Sequence, residues 1–288
     1  MTLRAVLQIA RIGLNVTDLQ AACAFYAGAL GFSRAPEGAL ASASSAVLRL
    51  GGQELELRVS RGRPYPEPRA ANDPWFQHFA IAVSDMHAAY ARLSTHVQQP
   101  ISQGGPQLLP PSTGSVTAYK FRDPDGHPLE LSYIPGSAWL AQARKPDDGP
   151  CIGIDHSALA VADLARSAAF YRDVLGFAPA GASLNQGVEQ DHLDGLKQVR
   201  LDIAAFSAAE GGPHIELLHY RSPAAASTTG PIGVDDIAAT RLRLRIADMP
   251  ALDRLLEVAN VRSNPGGNAR DHQLIQDPDG HWLELAGG

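Results

Sequence analysis

The chain has 288 residues, of which 45% are hydrophobic and 19% charged with no long charge blocks, so an ordered globular protein is expected rather than a disordered or fibrous one. A formal charge of −6 without Lys/Arg clusters gives no electrostatic footprint for nucleic acid or an anionic membrane surface, which leaves small molecules as the expected partners. Cys23 and Cys151 are the only cysteines; they can build neither a disulfide framework nor a thiolate zinc site, and they fit a reducing, cytoplasmic setting. No apolar stretch is long enough to span a bilayer, and the N-terminal residues lack the pattern of a secretory signal.

In chain order, the first element is a strand of period two. Ile12, Leu14 and Val16 face one way, and Arg11, Gly13 and Asn15 face the other. Asp18 then caps a helix within LNVTDLQAACAFYAGALGF, Leu14 to Phe32, and strands follow that end in the row Glu54, Glu56 and Arg58. These elements make a module over residues 6–60. A second, over 75–136, follows the same plan, with VSDM at Val83 and a last strand in which Leu129 and Leu131 oppose Glu130. The third, over 151–221, restates the first: LAVADLARSAAFYRDVLGF, Leu159 to Phe177, aligns with Leu14 to Phe32. In it Leu159 and Val161 oppose His156, Ala158 and Ala160, and Ile215 and Leu217 oppose Glu216. The fourth, over 237–288, restates the second: IADM at Ile246 matches VSDM, and IQDPDGHWLEL, Ile275 to Leu285, matches FRDPDGHPLEL, Phe121 to Leu131. Its last strand sets Leu283 and Leu285 against Glu284. The chain thus divides into two halves, 1–143 and 151–288, of two modules each. Arg61 to Pro74, Arg144 to Pro150 and Ser222 to Gly230 read as linkers.

The second face of each opening strand is small and polar, so it borders a cavity, and the closing strands aim carboxylates into it. The DPDG turns at Asp123 and Asp277 reverse the chain, because Pro fixes one dihedral and Gly tolerates positive φ; they read as structural.

This pattern resembles the vicinal oxygen chelate superfamily, which includes glyoxalase I, bleomycin resistance proteins and extradiol ring-cleaving dioxygenases. The likeness spans nearly the whole chain and is carried by DLxxxxxFYxxxLGF at Asp18 and Asp163 and by DPDGHxxEL at Asp123 and Asp277. It implies an α+β fold of four βαβββ modules, forming two cupped, barrel-like mixed sheets with helices outside, and two glyoxalase-like domains over 1–143 and 151–288. It also implies metal ligands at the first and last strands of each module: Arg11 and Glu56, His78 and Glu130, His156 and Glu216, Arg241 and Glu284.

Arg cannot ligate a metal because its guanidinium stays protonated. Pairing adjacent modules would give each site one His and one Arg. Pairing module two with module three instead collects His78, Glu130, His156 and Glu216 around one divalent ion, which could be Zn, Ni, Fe or Mn. Module one then pairs with module four, leaving Arg11, Glu56, Arg241 and Glu284 as two opposite-charge couples. Strand histidines facing a cavity can also be hydrogen-bonding core residues. The function implied is a metal-dependent lyase or isomerase that stabilises an enediolate on a small vicinal-oxygen substrate, with Glu130 or Glu216 as the base. The alternatives are an Fe(II) extradiol dioxygenase and a metal-free binding protein of the bleomycin resistance kind; a monomer or homodimer is expected. Of the other histidines, His127 and His281 are expected to support local hydrogen bonds, and His87 and His96 to lie on or beside a helix surface. His214 and His192 are open between supporting the site, touching substrate and, for His192, an exposed polar loop. Arg241, Arg243 and Arg245 share a face and suit either an ionic network or an anionic ligand.

Overall fold

The computed structural model describes residues 5–35, 42–96, 98–137, 149–225, 230–261, 263–265 and 272–287. Parts of two linkers, residues 144–148 and 226–229, lie outside the described residues.

Module one contains β1 (Val6–Val16), α1 (Leu19–Leu30), β2 (Ser33–Arg34), β3 (Ser45–Leu50) and β4 (Gln53–Val59). Module two contains β5 (Gln77–Val83), α2 (Met86–Leu93), β6 (Gln99–Pro100), β7 (Gln107–Leu108), β8 (Thr117–Arg122) and β9 (Pro128–Tyr133). Module three contains β10 (Cys151–Ala160), α3 (Leu164–Ala169), β11 (Ala178–Gln186), α4 (Val188–Asp194), β12 (Arg200–Ser207) and β13 (His214–Ser222). Module four contains β14 (Arg241–Ile246), α5 (Met249–Val258), β15 (Ser263–Pro265), β16 (His272–Gln276) and β17 (Trp282–Gly287).

The first helix of each module starts where an Asp can accept from its first amide groups: Asp18, Asp85, Asp163 and Asp248 are all N-caps in extended conformation or close to it, whereas α4 starts at Gly187 without a side-chain cap. In every module the first and last strands pair in parallel, as β1 with β4, β5 with β9, β10 with β13 and β14 with β17. The modules then join through their first strands, and the partners are not sequence neighbours. β5 pairs antiparallel with β10, so modules two and three share a sheet of order β11-β12-β13-β10-β5-β9-β8-β6. β1 pairs antiparallel with β14, so modules one and four share a sheet of order β15-β16-β17-β14-β1-β4-β3-β2. Both sheets are mixed and open; neither closes into a barrel among the described residues.

The apolar faces of both sheets and the helices that cover them form one continuous buried cluster drawing on all four modules, from Leu14 and Leu55 through Phe79 and Leu131 to Leu159, Leu217, Leu242 and Leu285. Hydrogen bonds from the two repeated motifs lock sequence-adjacent modules together across that core. The Tyr of the FY motif in one module reaches the first Asp of the DPDG turn in the next: Tyr26 donates to Asp123 at 2.8 Å and Tyr171 to Asp277 at 3.0 Å. The second Asp of each turn accepts from the strand-to-helix junction, Asp125 from the amide of Thr17 and Asp279 from that of Ala162. Gly126 and Gly280 allow this geometry with φ of 98° and 96°. His127 and His281 reach further than a local role, to the carbonyls of Ile237 and Ala160 respectively.

The segment 61–74 is more than a linker. Arg63 holds Asp236, just ahead of module four, and Tyr65 is buried against Ile237. Replacing Tyr26 by Phe removes a buried bond between modules and is expected to cost about 1–2 kcal/mol, and Asp123→Ala, which strips the acceptor from Tyr26 and His127 together, more than about 3 kcal/mol. Urea denaturation of the two variants measures both.

Candidate metal centre

The β5–β10 seam places the two histidines. His156 stands opposite Ala80 and His78 opposite Ala158, so the imidazoles sit diagonally across the seam with a methyl group facing each. Their ring centroids are 5.6 Å apart. The parallel neighbours add the carboxylates, Glu130 beside Ala80 and Glu216 beside Ala158. His78 Nε2 lies 3.4 Å from Glu130 Oε2, and His156 Nε2 lies 3.7 Å from Glu216 Oε2. Donor atoms of His78, Glu130 and His156 all fall within 4.8 Å of one another. Glu216 stands outside that tighter group and takes a hydrogen bond of 3.4 Å from His214 Nε2.

Two donors about 2.1 Å from one ion and roughly 90–110° apart are separated by roughly 3–3.4 Å, so a small contraction would let this group enclose a metal. His78 supplies the clearest test of fit. Both its ring nitrogens are buried without a hydrogen-bond partner, an arrangement that costs about 1–3 kcal/mol per group unless something else is bound. Burial, only partly opposed by Glu130, lowers its pKa, so the ring is neutral with a lone pair available.

His156 behaves differently. Burial favours its neutral form, but Glu216, Asp155 and Glu130 outweigh burial and raise the pKa to about 9. Glu216 shows the converse: burial would raise it, and His156 and His214 bring it down to about 2. Asp155 Oδ2 accepts from His156 Nδ1 at 2.9 Å, which turns Nε2 towards the site as carboxylates do behind metal-bound imidazoles. The side chain reaches this position because the β5–β10 register slips between Ile154 and His156, a bulge centred on Asp155. Asp155, His156 and His214 form a second close donor group.

These residues open into a cavity of about 390 Å³ with mixed walls, apolar at Leu109, Leu193, Leu201 and Ile203 and polar at Ser132, Ser183, Asn185 and Gln190. Lys120 also faces it, 3.9 Å from Glu130 and 2.7 Å from Asp194. Lys120, Asp155 and Asp194 are additions to the residues expected from sequence. Alternation in β8, with Tyr119 and Phe121 on the core face, does put Lys120 on the cavity face. The stretch around His192 is the helix α4 instead of a polar loop: it lines the cavity with buried Gln190 and Leu193 and buries Asp194, while His192 itself is exposed.

The equivalent seam in the other sheet has identical register but different chemistry. Arg11 stands opposite Arg243 and Arg241 opposite Gly13. Arg11 lies 2.6 Å from Glu54 and 3.7 Å from Glu56. The expected couple of Arg241 with Glu284 does not form; Glu284 lies 3.6 Å from Arg243, and Arg241 donates to Asn15 at 2.8 Å. Gly13 leaves room for it, since a Cβ there would lie 3.0 Å from the Arg241 guanidinium, a tight contact. Within the row, Arg243 and Arg245 are held in ion pairs with Glu284 and Glu210, and Arg241 in a hydrogen bond to Asn15.

The chain matches the family model of the Glyoxalase/Bleomycin resistance protein/Dioxygenase superfamily over residues 8–131 and 153–285. Among solved structures it is similar to glyoxalase I from Zea mays, at 18% identity and TM-score 0.62 over 97% of this chain and 92% of that one. It is similar also to a Bacillus subtilis protein assigned as a dioxygenase, at 16% identity and TM-score 0.62 over 98% and 86%. A third likeness is to the cppA protein of Streptococcus pneumoniae, at 13% identity and TM-score 0.53 over 98% and 100%. At these identities the structures establish the fold alone. No curated protein matches.

A divalent ion that uses His156 Nε2 must displace the proton this ring carries below about pH 9. Zinc affinity is therefore expected to rise about tenfold per pH unit between about pH 7 and 9 and to level off above. Competition titrations with a chelator of known pH dependence check this; a flat profile would show that His156 is not displaced.

Proposed function

Because the chain belongs to the Glyoxalase/Bleomycin resistance protein/Dioxygenase superfamily, we propose that it is a metal-dependent lyase or isomerase acting on a small compound with two adjacent oxygens. His78, Glu130 and His156 serve as core ligands, with Glu216 as a fourth ligand that also moves the proton. The observation that carries this reading is His78: a neutral imidazole with both nitrogens buried and unpartnered, set beside a carboxylate and a second imidazole.

A divalent ion bound there supplies Lewis acidity towards the two substrate oxygens and offsets the charge that builds on them when the adjacent C–H is deprotonated. Glu130 is the anchoring carboxylate, since it is buried between His78 and Lys120. Glu216 is the freer of the two carboxylates to move the proton: it stands just outside the tight donor group and is hydrogen-bonded to His214, which keeps about a quarter of its side chain exposed. The mixed walls, with Leu109 and Leu201 beside Ser183, Asn185 and Gln190, suit a small compound that carries both apolar and hydrogen-bonding groups.

One observation favours a second reading. The tighter group alone, His78, Glu130 and His156, is two imidazoles and one carboxylate, a set that leaves positions open for catechol and oxygen on Fe(II). No described helix is long and apolar enough to cross a membrane. Separately, the two unpaired cysteines, Cys23 and Cys151, support a cytoplasmic setting, and a monomer or dimer is proposed for the assembly.

Elemental analysis of the purified protein is expected to find about one divalent ion per chain, and His78→Ala and His156→Ala each to lower it more than about tenfold, whereas Arg11→Ala leaves it unchanged. Nickel or zinc with turnover of 2-oxoaldehyde adducts supports the lyase or isomerase; iron with oxygen uptake on catechols supports the second reading. Retention of metal by His156→Ala would sink the shared site, and a protein that takes up no metal at all would point to ligand binding without chemistry.

A further inference from the structure

Among the described residues that line the cavity, Lys120 is the only lysine or arginine. β8 and β9 run antiparallel with Lys120 directly opposite Glu130, a placement in which opposite charges ordinarily pair. They do not pair closely here. The ammonium stays 3.9 Å from Glu130 Oε2 and donates instead to Asp194 Oδ1 at 2.7 Å.

Asp194 ends α4 in module three, and its side chain is fully buried. Its second oxygen accepts from Gln190 Nε2 at 2.8 Å and from the Tyr220 hydroxyl at 3.1 Å. The helix that carries it is clamped to module two by independent bonds: the Ser102 hydroxyl to the Leu193 carbonyl at 2.9 Å, and the Gln103 amide to the His192 carbonyl at 2.8 Å. Those bonds tie α4 to module two independently of the Lys120–Asp194 ion pair, and an apolar pair in place of a buried lysine and aspartate is often no less stable. The charge of Asp194 therefore calls for another explanation.

We propose that Asp194 is a positioning residue for the candidate metal ligand Glu130: by holding the Lys120 ammonium on itself it leaves the Glu130 carboxylate free to bind a cation. Lys120 and Glu130 are fixed as cross-strand neighbours, so only the pull of Asp194 separates them. Without that pull the ammonium closes on Glu130 and competes with the ion for the same oxygens. The inference rests on the metal reading above, and its test is built so that the two fail separately.

Asp194→Asn is nearly isosteric. Its carbonyl oxygen can keep the bonds from Gln190 and Tyr220, while its amide nitrogen faces the ammonium and repels it. Zinc alone is the probe, titrated into metal-free full-length chain against a competing chelator at one pH, with thermal melts to confirm folding. Asp194→Asn is expected to weaken zinc binding by about 10–100-fold. The double variant Lys120→Met/Asp194→Asn, which removes the competing cation, is expected to return to within about threefold of the unsubstituted protein. A purely structural role for Asp194 would leave the double variant at least as weak as the single one, and that result, or unchanged affinity in Asp194→Asn, overturns the proposal. If Asp194→Asn does not fold, the double variant decides alone: affinity within about threefold of the unsubstituted protein, or above it, supports the proposal, and any greater loss overturns it. Absence of zinc binding by the unsubstituted protein is a different failure, that of the metal reading itself.

Discussion

The antiparallel pairing of β5 with β10 is the constraint on which the rest of the site depends. A strand offers side chains to one face only at every second residue, so a slip of one position would turn His78 or His156 into the core. The observed register sets each histidine against an alanine of the other strand. The alanines matter as much as the ligands, because a large side chain at Ala80 or Ala158 would occupy the space between the rings. The parallel strands β9 and β13 then bring one glutamate to each side, and the site is assembled from two modules that are each incomplete.

The other seam shows what happens to the same backbone when the residues change. Arg11, Arg241 and Arg243 replace two histidines and an alanine, at equivalent positions of an equivalent register. Guanidinium groups cannot ligate, and buried carboxylates beside them are neutralised by charge pairing instead. Arg243 stands at the register position of Ala80 and lies 3.6 Å from Glu284, while Arg241 donates to Asn15. Burial and the neighbouring Arg58 lower the pKa of Arg241 to about 10, which still leaves it charged at neutral pH. One fold thus carries an ionic network in one sheet and a candidate metal centre in the other.

Much of this was legible in the sequence because it rests on local periodicity and on residue chemistry. Four aspartates at module starts announce four helix caps, and all four cap helices. The exclusion of arginine from metal coordination favoured joining module two to module three, and the sheets join in that way. What stayed hidden depends on contacts between distant segments. Asp155 faces its neighbour's ring only because the strand bulges, which alternation does not reveal. Asp194 meets Lys120 only because α4 crosses onto module two, and the polar sequence around His192 gives no sign of a helix with a buried face. The DPDG turns show the same limit in milder form: their shape follows from Pro and Gly, but the bonds from Tyr26 and Tyr171 that make them joints between modules do not.

The central claim is that His78 and His156, from two different modules, share one ion. Anomalous diffraction from crystals of the zinc-loaded protein tests it most directly. The account predicts a single strong peak at about 2.0–2.2 Å from a ring nitrogen of both His78 and His156, with Glu130 oxygen at a similar distance and no peak in the β1–β14 seam. An ion held by Asp155 and His214 away from His78, or one bound among Arg11, Glu56 and Glu284, would contradict it.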